Sequence, residues 1–245
     1  MSECGHEVLD AYYNDELKMR IGQTWASVMR CQDGDDYDEC GPPESRNPKD
    51  HPYIHILDEY LPDKSIKILE VGAGDGSETR MFIDHGYKNM TGITVGRENV
   101  SRGKELYDVD LQYMDMHFTS FPNASFDAVI GFQTFEHTPA PILFGLEVNR
   151  LLKPGGKILM EVPGGEWHFQ NESNPHHLNV LEPWQGKAML MRCGFINVSC
   201  VVRSDSTHEG LRDSQYIFYG EKIGDGDHNN HFNDVVNGKY LKKEK

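Results

Sequence analysis

The chain has 245 residues, with 24 Lys and Arg against 39 Asp and Glu, a formal charge of −15, and only 38% apolar residues. That length suffices for one ordinary domain with terminal additions and a sizeable core. The negative charge and the absence of a Lys/Arg cluster before the last few residues argue against binding that neutralises nucleic-acid phosphates. No stretch approaches the roughly 20 apolar residues that cross a bilayer, and the start, MSECGHEVLDAYYNDELK, lacks the basic and apolar parts of a secretory signal. Five cysteines, an odd number in a chain of this length, read as reduced thiols. The expectation is a cytoplasmic protein without membrane or nucleic-acid partners.

Three parts are expected: an N-terminal helical cap and acidic loop (1–60), a central domain (61–222) and a flexible tail (223–245). The cap holds an amphipathic stretch near Glu16 to Met29 and then CQDGDDYDECGPPESRNPKD, which has no apolar period and reads as loop. Cys31 and Cys40 flank that acidic run, and without a second pair at zinc spacing they read as free thiols. In the centre, IKILEV (66–71) predicts a buried strand and GSETRMFIDHG (76–86) the helix after it. NMTGIT (89–94) is a second strand, followed by a helical RENVSRGKELYD. LQYM (111–114), FDAVIGF (126–132) and KILMEV (157–162) continue the strands, with a helix near Pro141 to Leu152 and a Pro-Gly-Gly punctuation at 154–156. A helix over Pro183 to Arg192, then FINVSCVV and QYIFYGEK, complete the domain. Strands alternating with helices predict an α/β, doubly wound, mostly parallel sheet with helices on both faces. Such sheets bind ligands at the carboxyl ends of their strands, where strand order reverses.

The loop Glu70-Val-Gly72-Ala73-Gly74-Asp75-Gly76 joins the first strand to its helix. A dinucleotide fingerprint spaces its glycines G-x-G-x-x-G, so that pyrophosphate meets the helix N-terminus. Here the spacing is G-x-G-x-G, and Glu70 and Asp75 would repel a pyrophosphate. Two carboxylates suit a ligand with a cationic end, an ammonium or a sulfonium.

EVGAGDGSE resembles the first motif of class I S-adenosylmethionine-dependent methyltransferases. LQYMDMHFTSFPNASFDAVIGFQTFEHTPAP resembles that family's run from the acidic post-strand motif into the fourth strand, and EVNRLLKPGGKILMEVP its helix, turn and fifth strand. The resemblance implies a seven-stranded sheet whose last pair is antiparallel, with S-adenosylmethionine as cofactor. It implies that Glu70, Gly72, Ala73 and Gly74 face the methionine part, and that Asp115 and Met116 take the adenine. Phe132 and Gln133 would then line the region near the reactive methyl. One departure is Thr94, which stands where many members carry the ribose acid; the GIT segment is similar to that of lipid- and sterol-modifying relatives, and Asn99 is the alternative ribose contact. The missing acid also counts against a nicotinamide oxidoreductase, whose ribose carboxylate falls about 20 residues past the glycines.

The resemblance implies methyl transfer, and an acidic chain without a basic patch favours a small-molecule acceptor over nucleic acid, with oxygen or nitrogen as the atom and a sugar or other metabolite as the class. An oxygen or nitrogen acceptor needs a proton acceptor, and His137 with Glu136 is the candidate catalytic pair. Asn174-Pro-His176-His177 follows the fifth strand, so His176, His177 and Trp167 are candidate substrate contacts. Two imidazoles and a carboxylate also suit zinc, but Gln133 stands where some relatives have a further acid, so histidines that pack at the pocket rim are expected rather than a metal. The competing functions are a nicotinamide-dependent oxidoreductase and a non-catalytic cofactor-binding subunit, and the oligomeric state is left open.

Overall fold

The computed structural model describes residues 51–165, 177–208 and 211–224, with side chains described over 51–165, 177–203 and 214–224. In chain order the elements are α1 (Pro52–Tyr60), β1 (Ile68–Val71), α2 (Ser77–Asp84), β2 (Met90–Thr94), α3 (Arg97–Tyr107), β3 (Gln112–Tyr113), β4 (Phe126–Phe132), α4 (Pro141–Leu151), β5 (Leu152–Gly164), α5 (Pro183–Arg192), β6 (Phe195–His208) and β7 (Leu211–Lys222). The seven strands form one sheet in the order β3-β2-β1-β4-β5-β7-β6. All pairs from β3 to β5 are parallel, while β7 runs antiparallel between β5 and β6. The doubly wound sheet with its reversed last pair is therefore the observed architecture.

β1 is buried at all four positions, as a strand covered on both faces must be. Alternation along the strands assigns the faces. Leu69, Val71, Val129, Ile158, Met160 and Val162 join a cluster with Phe144, Val148 and Leu151 of α4 and Met189 and Leu190 of α5. Their neighbours Ile68, Ala128, Ile130, Phe132 and Leu159 join Ile54, Ile56 and Leu57 of α1 and Met81 and Phe82 of α2 on the other face. Helix α1 thus shares a core with the sheet. It begins on His51, whose Nδ1 accepts a hydrogen bond from the Tyr53 amide at 3.4 Å, and Pro52 occupies its first turn, where no amide is needed.

The Pro-Gly-Gly segment differs from expectation. β5 begins at Leu152, which pairs with Phe126, and the next pairs are Lys157 with Ala128 onward, so residues 153–156 bulge within the strand. Gly155 carries the left-handed φ of +75° that the bulge demands. The antiparallel pair β6–β7 likewise runs past the FINVSCVV and QYIFYGEK segments, to His208 and from Leu211.

β1 lies between β2 and β4, so the chain winds outward in opposite directions from it. The carboxyl ends of β1 and β4 flank that reversal, and the candidate residues converge there.

Candidate active site

The glycine loop leaves β1 through Gly72 and Gly74, both left-handed with φ of +68° and +53°, and enters α2 through Gly76 at +87°. The loop is tied down by the Ala73 amide donating to the Ile93 carbonyl of β2 at 2.9 Å and by Gly76 donating to Ala73 at 2.8 Å. A Cβ on Gly72 would overlap the Thr134 side chain, whereas a Cβ on Gly74 would meet nothing within 4 Å. One glycine lets the loop press against the end of β4; the other faces open space where a ligand can rest on bare main chain.

Beneath this loop Glu70 is 3% exposed and accepts a hydrogen bond from the Thr79 hydroxyl at 2.5 Å. Burial pushes its carboxyl up to about 8, with Glu78 adding to the rise and Thr79 opposing it. Asp75, half-buried inside the loop, accepts from the Ser77 amide at 3.1 Å and lies 3.9 Å from Arg102. Such a cradle, lined by acid and bare backbone, fits a ligand whose end is cationic.

At the end of β2, Thr94 is buried and its hydroxyl accepts from the Gly96 amide at 3.3 Å. Its side chain is thus engaged in the turn, and Asn99 of α3 folds over Gly96 beside it. After β3, Asp115 accepts from His117 twice, from the amide at 2.8 Å and from ring Nδ1 at 2.7 Å, both at Oδ1. Met116 is buried beside it in the sheet cluster.

At the end of β4 the ring of Phe132 stacks on Tyr53 of α1, with centroids 4.2 Å apart and planes 15° off parallel. Burial and the nearby Glu161 raise the Tyr53 phenol well above its ordinary range. Gln133 adopts φ of +50°, a left-handed conformation that costs a residue with a side chain roughly 1 kcal/mol or more. Its amide donates to Gln215 of β7 at 2.8 Å and to Glu161 of β5 at 3.3 Å, so the side chain ties β4 to its neighbours. Glu161 is fully buried and held by the Arg203 guanidinium of β6, whose second nitrogen donates at 3.0 Å. Burial raises the Glu161 carboxyl and Arg203 opposes the rise.

A short 3₁₀ turn, Phe135–His137, follows. Glu136 is fully buried, and the Nε2 of His137 stands 3.9 Å from its carboxylate. The Glu136 carbonyl accepts from the amides of both Leu178 and Asn179, at 2.7 and 2.9 Å. That clamp brings His177 against His137, ring centroids 4.9 Å apart and edge to face. The ligand atoms of Glu136, His137 and His177 lie within 4.8 Å of one another, a set with the donors for a zinc-like ion.

The structure therefore gathers Glu70, Gly72, Ala73, Gly74, Thr94, Asn99, Asp115, Met116, Phe132, Gln133, Glu136, His137 and His177 at the carboxyl ends of β1 to β4. Trp167 and His176 lie outside the described residues, as do the amphipathic stretch near Glu16 to Met29, the acidic run between Cys31 and Cys40 and the residues from 225 onward. Tyr53, His117, Thr134, Glu161 and Arg203 belong to the site without having been expected. A lone acid inside the apolar run KILMEV was a usable signal for Glu161, and the spacing of Asp115 and His117 one for His117; the other three carry no local signature.

Residues 69–160 match the family described as methyltransferase domain. A curated relative, the 2-methyl-6-phytyl-1,4-hydroquinone methyltransferase of Synechocystis sp., is 32% identical over 141 residues, which is 52% of this chain and 43% of the relative. The chain thus spans under half the length of that relative. Among solved structures, the [4+2]-cyclase SpnF superposes with a TM-score of 0.63 at 16% identity, covering 83% of this chain and 96% of that one. The Haemonchus contortus phosphoethanolamine N-methyltransferase 2, solved with phosphomonomethylethanolamine and S-adenosylhomocysteine, superposes with a TM-score of 0.60 at 15% identity, covering 69% and 52%. The sheet order, the acid-lined glycine loop and the match over residues 69–160 agree on a methyltransferase domain of the S-adenosylmethionine-dependent kind in this part of the chain.

Proposed function

We propose that this protein transfers a methyl group from S-adenosylmethionine to an oxygen or nitrogen of a small-molecule acceptor, with a sugar or other metabolite as the acceptor class. The observation that carries the reading is the open face of Gly74 above buried Glu70, one strand away from the His137–His177 pair. When bound, the cofactor supplies a methyl group on a positively charged sulfur, an electrophile that needs no metal or covalent enzyme intermediate.

The chain's own residues then have four tasks. The bare backbone of Gly72 to Gly74 and the acid of Glu70 hold the cationic amino-acid end. Asp115 accepts from the adenine amino group while Met116 covers the ring, and Asn99 beside Thr94 serves the ribose. His137 would take the acceptor's proton as its oxygen or nitrogen bonds to the methyl carbon and the carbon–sulfur bond breaks, its electron pair staying on sulfur, and Glu136 at 3.9 Å would stabilise the imidazolium so formed. Glu136, being fully buried, acts through His137 rather than on the acceptor. His177, with Trp167 and His176, walls the acceptor side. Alignment of the reacting atoms supplies the rest of the rate.

Calorimetric titration of the purified chain with S-adenosylmethionine, S-adenosylhomocysteine and NADH tests this. Micromolar binding of the first two, lost in Asp115→Ala and Gly72→Arg, is expected. A folded protein that binds neither overturns the reading, and binding of NADH alone replaces it with a nicotinamide-dependent oxidoreductase.

A further inference from the structure

His117 is 2% exposed and Thr138 is fully buried, so the bonds between them are out of water. The ring bridges two places of different purpose. Nδ1 lies 2.7 Å from Asp115 Oδ1, at the end of the cleft assigned to adenine, and Nε2 lies 2.5 Å from the Thr138 hydroxyl. Thr138 caps the 3₁₀ turn that carries Glu136 and His137.

The proton arrangement follows from the surrounding donors. The Asp115 carboxylate only accepts, so Nδ1 donates to it and Nε2 accepts from the Thr138 hydroxyl, whose oxygen in turn accepts from the Ala140 amide at 3.1 Å. The neutral ring then carries its hydrogen on Nδ1, aimed at the Asp115 carboxylate. Both hydrogen bonds from His117 fall on Asp115 Oδ1, and Oδ2 takes none among the described residues. Oδ2 is thereby the oxygen presented to an exocyclic amino group.

The chain of contacts continues past Thr138. Its carbonyl accepts from the side-chain amide of Asn179, and the Asn179 and Leu178 backbone amides donate to the Glu136 carbonyl. His177 is the residue before Leu178. A chain of hydrogen bonds, buried at His117, Thr138 and Glu136, thus runs from the carboxylate assigned to adenine to the segment assigned to the acceptor side.

We propose that His117 is a positioning residue that couples adenine occupancy to the geometry of the acceptor-side turn. This rests on the cofactor reading above. With Asp115 Oδ2 engaged by the amino group, Oδ1 and the His117 ring are held in one orientation, and Thr138 and the His177 segment are held with them. Without a ligand, the same network has one end loose.

The two ends of the ring can be cut separately. In His117→Asn the side-chain amide reaches the place of Nδ1, which keeps the bond to Asp115 and drops the one to Thr138. In His117→Gln the longer side chain reaches the place of Nε2 and keeps Thr138 while dropping Asp115. S-adenosylhomocysteine affinity is measured by calorimetry, and amide exchange by NMR at Ala140, Leu178 and Asn179 with and without that ligand.

In the wild type, ligand is expected to slow exchange at those amides severalfold. His117→Asn is expected to bind within about threefold of wild type yet lose that slowing, whereas His117→Gln loses about tenfold in affinity. Thr138→Val is expected to behave like His117→Asn and keeps the test alive if that variant does not fold, and Thr138→Ser restores the coupling. Unchanged slowing in both His117→Asn and Thr138→Val overturns the coupling, and wild-type affinity in His117→Gln overturns the positioning of Asp115. A wild-type chain that does not bind S-adenosylhomocysteine instead overturns the cofactor reading beneath it.

Discussion

The two ends of the central strands are built to opposite rules. At the amino ends, charged groups pair at the surface: Lys153 meets Asp127 at 2.7 Å, Asp127 also accepts from the Lys67 amide at 2.9 Å, and Arg150 meets Glu147 at 2.7 Å. At the carboxyl ends, Glu70, Glu136 and Glu161 are 3%, 0% and 0% exposed. Burying a carboxylate is costly unless its charge is met or neutralised. The same end holds the left-handed Gln133 and the left-handed glycines 72 and 74. Exposed ion pairs mark one end of the strands and desolvated acid the other, where a cationic ligand can offset its burial.

That contrast can be broken by substitution. The largest effect is expected at His137: with an acceptor in hand, His137→Ala is expected to lower kcat by roughly 10²–10⁴-fold, the usual worth of a general base. Addition of a chelator to the wild type is expected to leave the rate unchanged. A rate that collapses on chelation would assign Glu136, His137 and His177 to a metal ion instead.

Arg203→Ala leaves the buried Glu161 carboxylate without its guanidinium. Removing one member of such a pair costs about 3–5 kcal/mol when both are buried; Arg203 is 30% exposed, so the lower figure is expected, read as a lowered thermal midpoint. An unchanged midpoint would mean that Glu161 holds a proton and needs no partner.

Glu70 sharpens the comparison through pH. Its folded value of about 8 lies above that of an unfolded chain, about 4.3, so the folded state holds the proton more tightly. Its contribution to stability is greatest below about pH 4.3, declines as pH rises toward 8, and is constant beyond. Glu70→Gln removes that decline. Its thermal midpoint relative to wild type is expected to climb across that window, and a constant difference would show that Glu70 is charged in the folded state.

Lys153→Ala, at the amino end, is expected to have the smallest effect. Loss of an exposed pair changes stability by about 1 kcal/mol or less, and cofactor affinity is expected to stay at the wild-type value. A large loss of affinity would mean that the two ends are not independent.

The element order was legible because it rests on local pattern. FDAVIGF and Pro183 to Arg192 occupy the bounds their periodicity marks, β4 at Phe126–Phe132 and α5 at Pro183–Arg192. The glycine loop was legible because its spacing and its acids sit within a few residues of each other. The bulge at 153–156 was not, because Pro-Gly-Gly signals a turn equally well outside a strand and inside one. Nor was the burial of Glu136, since a Glu-His pair reads the same on a rim as under one.

What the amino-acid sequence determined by itself was the succession of strands and helices, the end of the sheet where the candidate site residues gather and the acid-lined turn beneath it. These follow from hydrophobic period and residue spacing, which act over one turn or one strand. Tertiary structure alone decided that Tyr53 stacks on Phe132, that Arg203 meets Glu161, and that His117 joins Asp115 to Thr138. Asp115 and His117 are near neighbours, but the contacts of Tyr53 with Phe132, Arg203 with Glu161 and His117 with Thr138 join segments far apart in the chain, which meet only when the whole sheet packs in register.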